Sequence, residues 1–328
     1  LGLADAPRLR LALVAALEEG VSLGAGGSRL LRGNNPEHEA LEKEAAAFFG
    51  ASASLFFTGG YNANSALFSA LPQRGDLIVH DAFIHASVHE GMKLSKAVSV
   101  AATHNDSNAF EDALRQWRRD GGKGTPWIAV ESLYSMDGDC APLEELNQLA
   151  LKYEGFLVID EAHATGVWGE SGKGLSEKYE GAEHIITLHT CGKALGVAGA
   201  LINADKRIID FLINRARGFI FATAPSPLMA RAVREALRMI HDEPERRQEL
   251  FQRIERMQHH MERLGLPVSG TQIQPIILGE NKRALEAAAA LQKAGFDVRA
   301  IRPPTVPLGT ARLRLSITCN ASLEEIDR

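Results

Sequence analysis

The chain is short of several things, and each shortage excludes something. Only three cysteines occur in 328 residues, Cys140, Cys191 and Cys319. They lie far apart and form no CxxC pair, which argues against a zinc site or a disulfide framework and fits a reducing cytosol. Positive charge is not in excess: the formal net charge is −5, so there is no electrostatic case for nucleic acid or a membrane surface as partner. No apolar run is long enough to span a bilayer, and no secretory signal is present, so the expected location is the cytoplasm. There is no internal repeat and no low-complexity linker. What remains is an ordinary globular profile, 45% hydrophobic and 23% charged, with chain enough for one large domain and a smaller one.

Short apolar runs alternate with helical patterns. Residues 55–57, 77–79, 127–130, 156–159, 185–188 and 200–202 read as buried strands, and residues 63–71, 109–118 and 143–153 as helices between them. Such alternation predicts an α/β fold with a mostly parallel sheet covered on both faces. From about Pro227 the texture changes. A long charged helical stretch runs over residues 231–263, followed by strand candidates at 273–278, 297–301 and 312–317 and a helix at 282–294. The expected division is a large domain over residues 1–226 and a smaller α+β domain over 227–328.

Two residues carry the chemistry. The run 156–159 ends in Asp160-Glu161-Ala162-His163, and the run 185–188 leads into His189-Thr190-Cys191-Gly192-Lys193-Ala194-Leu195-Gly196. Parallel sheets bind ligands beyond the carboxyl ends of their strands, so Asp160 and Lys193 can converge in space. A lysine able to form a Schiff base, with an aspartate to hold a proton on a pyridine nitrogen, is the requirement of pyridoxal phosphate (PLP) chemistry. Asp-Glu-Ala-His also occurs in helicase ATPases, but these need a phosphate loop upstream. The nearest look-alike, Gly169-Glu170-Ser171-Gly172-Lys173-Gly174, lies downstream and has neither the first glycine nor the final Ser/Thr.

Thr58-Gly59-Gly60-Tyr61-Asn62-Ala63-Asn64 follows a strand and opens a helix, a natural phosphate cradle as well as an ordinary tight turn. His85 and His163 are imidazoles near these segments. Arg312 and Arg314 alternate with Leu313 and Leu315, so both point to one strand face, where a guanidinium can grip a carboxylate. The spacing leaves open which of the two does so.

Together these segments resemble the α-oxoamine synthase family, which has PLP fold type I: a large domain with a mostly parallel seven-stranded sheet and a smaller C-terminal α+β domain. The resemblance covers essentially the whole chain. Besides those above, its motifs are Gly24-Ala25-Gly26-Gly27-Ser28-Arg29, Ser135-Met136-Asp137-Gly138-Asp139 and Ile301-Arg302-Pro303-Pro304-Thr305-Val306-Pro307. The last is typical of the branch that condenses L-alanine with a pimeloyl thioester, and less so of the glycine-using branches. The resemblance implies roles residue by residue. Lys193 is the Schiff-base lysine and Asp160 the partner of the pyridine nitrogen. His85 stacks on the ring, while Ser135 and His163 sit near its hydroxyl. Gly60, Tyr61 and Thr190 hold the phosphate. Thr223 reaches the phosphate of a neighbouring subunit, which implies a homodimer with shared active sites. Arg314 and Thr305 bind substrate. Family members usually carry Asn-Asp-Tyr ahead of Leu-Gly-Leu and a longer final helix, so both ends here read as cut from a longer protein.

Overall fold

The computed structural model describes residues 1–328. Seven strands, β1 (Ala53–Phe57), β2 (Leu77–Asp81), β3 (Val98–Ala102), β4 (Pro126–Glu131), β5 (Phe156–Asp160), β6 (Ile185–Thr190) and β7 (Ala200–Ala204), form one sheet in the order β1-β7-β6-β5-β4-β2-β3. The strands β6, β5, β4, β2 and β3 run parallel, and β7 is antiparallel to both its neighbours. Every residue of β2 and β4 is buried, as expected for a parallel sheet covered on both faces. The helix Gly60–Ala70 supplies part of one cover, presenting Ala63, Leu67 and Phe68 to a core shared with Leu188, Ile202 and Phe219.

Six strands coincide with the apolar runs. The seventh, β3, carries no such signal because it is an open edge strand: its first four residues are exposed, including Val98 and Val100. Burial is what concentrates apolar residues into a run: β1, at the other edge, is covered and carries one, whereas β3 is left open to solvent.

The chain divides into a larger unit, residues 2–133 and 140–243, and a smaller one made of Leu1, residues 134–139 and residues 244–328. The division therefore falls at 243/244 rather than at 226/227. The expected single helical stretch over 231–263 is two helices, Pro227–Asp242 and Glu245–Arg263. Pro244 separates them, since proline has no N–H to donate and restricts the residue before it. The first of the two belongs to the larger unit because its cations are paired there. Arg231 donates to both carboxylate oxygens of Glu37 at 2.9 and 2.7 Å, and Arg234 bridges Glu37 and Glu44 at 2.6 Å each. Arg8 pairs with Glu235, Asp242 and Glu243.

The smaller unit has a three-stranded antiparallel sheet, β8 (Ile273–Gly279), β9 (Arg299–Ile301) and β10 (Ala311–Ser316), with β10 in the centre. The helix Asn281–Lys293 connects β8 to β9.

Candidate active site

In the larger unit, the carboxyl ends of β5 and β6 and the start of the helix Gly60–Ala70 enclose a cavity of about 370 Å³, a size suited to a small-molecule ligand. Lys193, Asp160, His85, His163, Gly60, Tyr61 and Thr190 all line it. Residues separated by more than 130 positions thus meet at one sheet edge, as the strand ends predict.

Lys193 sits in a tight loop after β6. The loop is closed by Cys191, whose N–H donates to Gly199 O and whose carbonyl accepts from Val197 N, each at 2.9 Å. Gly196 makes the turn at φ +70°, and a Cβ there would lie 2.4 Å from Ala4 N. The loop is therefore pinned at its base while the lysine side chain stays exposed.

Asp160 is the last residue of β5 and is buried. Its Oδ1 accepts from Ala162 N at 2.9 Å and its Oδ2 from Asn64 Nδ2 at 2.7 Å. His85 caps the helix Ala86–Leu94, its Nδ1 accepting from Ser87 N at 3.2 Å and lying 2.8 Å from Ser87 Oγ. Burial pushes the His85 imidazole below its usual range. The Asp160 charge works against that and the Lys193 charge adds to it, so both charged groups act on His85.

The helix Gly60–Ala70 starts at Gly59, which offers no side chain to cap it. Its first N–H groups and positive dipole end face the cavity, the arrangement that binds an anion. Gly60 leaves no room for a side chain unless Thr190 shifts: a Cβ there would lie 2.4 Å from Thr190 Cγ2. The Thr190 hydroxyl lies 3.4 Å from Ala162 O.

The remaining expected residues lie elsewhere. Thr223 is exposed and does not line this cavity. Ser135, Arg314 and Thr305 belong to the smaller unit. There the structure separates the two arginines. Arg312 is 2% exposed and committed to Asp137, Met136 O and Thr310 O. Arg314 donates through Nε to Ser135 O and through Nη1 to Ser316 Oγ, which leaves Nη2 uncommitted. Burial pulls its guanidinium below the usual range. Thr305 is exposed in a turn where its N–H donates to Arg302 O at 3.0 Å.

The residues missed in the sequence are Asn64 and Ser87, both in the cavity wall. The available signal was a polar residue on an otherwise apolar helix face, Asn64 among Ala63, Ala66, Leu67 and Phe68.

The model of the family described as aminotransferase class I and II matches residues 5–328. The chain belongs to the class I and II aminotransferase family. Among its relatives, the 8-amino-7-oxononanoate synthase of Geobacter sulfurreducens is 42% identical over 334 residues, spanning 100% of this chain and 84% of that protein. A solved 8-amino-7-oxononanoate synthase from Francisella tularensis is similar at TM-score 0.81 and 28% identity, over 99% of this chain and 92% of that one. A serine palmitoyltransferase from S. paucimobilis, with PLP bound, is similar at TM-score 0.92 and 27% identity, over 99% of this chain and 82% of that one. PLP is the cofactor of this aminotransferase-family enzyme. The residues present fit it: the lysine, the carboxylate, the imidazole and a glycine-lined helix N-terminus share one cavity of suitable size.

Proposed function

We propose that the chain condenses L-alanine with a pimeloyl thioester, as the coenzyme A or carrier-protein ester, to give 8-amino-7-oxononanoate, the free thiol and CO2, a step of biotin biosynthesis. The observation that carries this reading is the meeting of Lys193 and Asp160 in one cavity, in a chain 42% identical to a synthase of that name.

PLP, when bound, supplies an electron sink for the pair left at the substrate Cα. The protein residues do the rest. The Lys193 amine would anchor the cofactor and is the base placed to take the proton from alanine Cα. Asp160 holds a proton on the pyridine nitrogen. His85 would lie against the ring, its imidazole held below its usual range by burial. The N–H groups of Gly60 and Tyr61 and the Thr190 hydroxyl take the phosphate. Ser135 and His163 attend the ring hydroxyl, and Arg314, helped by Thr305, grips the alanine carboxylate. Arg314 suits that role because it is a half-buried cation with a donor, Nη2, uncommitted. In this reading Thr223 serves the phosphate of a second subunit, so the working form is a homodimer, and the enzyme is cytoplasmic. No helix is long and apolar enough to cross a membrane.

The test is the visible spectrum of the PLP-loaded protein titrated with L-alanine, glycine and L-serine. Serine is included because a structural neighbour is a serine palmitoyltransferase. Saturable change with alanine, and weak change with the other two, is the expected result. A stronger response to glycine or serine moves the substrate to that amino acid, and no visible band at all removes Lys193 from its role.

A further inference from the structure

Four side chains that the sequence scatters over residues 64–160 form one hydrogen-bonded chain. Asn64, 2% exposed, donates from Nδ2 to Asp160 Oδ2 at 2.7 Å and to Ser87 Oγ at 3.0 Å. Both amide hydrogens are therefore spent. The amide oxygen, Oδ1, is buried and has no partner. Turning the amide over would satisfy neither acceptor and would set a carbonyl oxygen against the Asp160 carboxylate, so its orientation is determined. Ser87 Oγ accepts from Asn64 and has one hydrogen left, which points at His85 Nδ1, 2.8 Å away. The Ser87 N–H donates to the same nitrogen. His85 Nδ1 is thus an acceptor, and the ring proton of the neutral imidazole sits on Nε2.

We propose that Asn64 is a positioning residue that ties Asp160 to His85 through one amide, setting the place of the carboxylate and the orientation of the Ser87 hydroxyl that meets the imidazole. The inference rests on the reading of Asp160 and His85 as cofactor partners. An orphaned buried carbonyl costs free energy, and an apolar residue of similar size would avoid that cost. A polar residue at this position is explained by the two donors it provides.

The test is ¹⁵N NMR of the histidine-labelled protein without PLP, with His85 assigned by the signal lost in His85→Asn, followed by PLP titration. In the wild type, Nδ1 is expected as an unprotonated acceptor at neutral pH. Asn64→Asp keeps the shape but turns a donor into an acceptor, so the Ser87 hydrogen moves to the new carboxylate and His85 Nδ1, left with the Ser87 N–H alone, shifts its ¹⁵N signal while staying unprotonated. Asn64→Leu keeps the volume and removes both donors but leaves the Ser87 hydrogen on Nδ1, so this variant is read by its PLP affinity. PLP affinity should fall about fivefold or more, the loss of a charge-assisted hydrogen bond. An unchanged Nδ1 signal in Asn64→Asp overturns the proposal, and so does PLP affinity within twofold of wild type in Asn64→Leu. If the wild type takes up no PLP, the cofactor reading fails, and the NMR arm alone decides the coupling.

Discussion

Gly60 and Thr190 meet so closely that a single methyl group would not fit between them: a Cβ on Gly60 would stand 2.4 Å from Thr190 Cγ2. The helix start and the strand end proposed to hold the phosphate are locked by that contact. Gly60→Ala should weaken PLP binding about tenfold, a cost in the range of core overpacking. Adding Thr190→Ser removes the obstructing methyl but keeps the hydroxyl, and should restore most of the affinity. Absorbance titration reads both; equal defects in the single and double variants would show that the clash is not the cause.

Lys193→Ala should reduce condensation by roughly 10³-fold or more, since it removes the proposed base, while the cavity still takes up PLP non-covalently. Asp160→Asn should lower turnover by orders of magnitude with the cavity intact, because a neutral amide does not stabilise a protonated ring nitrogen. Steady-state rates alongside PLP retention separate these effects from unfolding.

The two arginines of β10 should behave differently. Arg314→Lys loses the planar fork and should raise the KM for L-alanine about tenfold or more with a smaller change in kcat. Arg312→Lys should act on stability, since Arg312 is tied to Asp137 and two backbone carbonyls. Substrate kinetics and thermal melts of the pair test the assignment, and the opposite pattern would exchange their roles.

Glu37 should stabilise the larger unit in a pH-dependent way. Its hydrogen bond from Arg231, followed by that from Arg234, holds its carboxyl below the usual 4.5 despite burial. A depressed acid contributes stability that is complete above the unfolded value and is lost as pH falls through the folded one. Glu37→Gln should therefore cost about 2–3 kcal/mol at neutral pH, and the gap to wild type should narrow as pH drops below 4.5. Denaturant melts across that range are the measurement; a gap independent of pH would mean that the ion pair contributes nothing.

Much of the site was legible because its signals are local. Asp160 and Lys193 each stand just past an apolar run, and such runs become parallel strands with a shared carboxyl edge. Asn64 was not legible, since a buried polar residue has meaning only through its partners, and these lie 23 and 96 residues away. The break at Pro244 had a local signal that the continuous charge pattern masked. Arg312 and Arg314 look equivalent as letters, and only their neighbours across the fold distinguish them.

The sequence by itself determined the α/β class, the chemical groups at the strand ends and the cofactor they suit, because hydrophobic periodicity and residue chemistry act over a few neighbouring positions. Tertiary structure alone decided which polar groups satisfy one another, that the helix Pro227–Asp242 joins the larger unit, and that Asn64 stands between Asp160 and Ser87. Those outcomes depend on buried donors and acceptors finding partners across the folded chain, a requirement that no local pattern encodes.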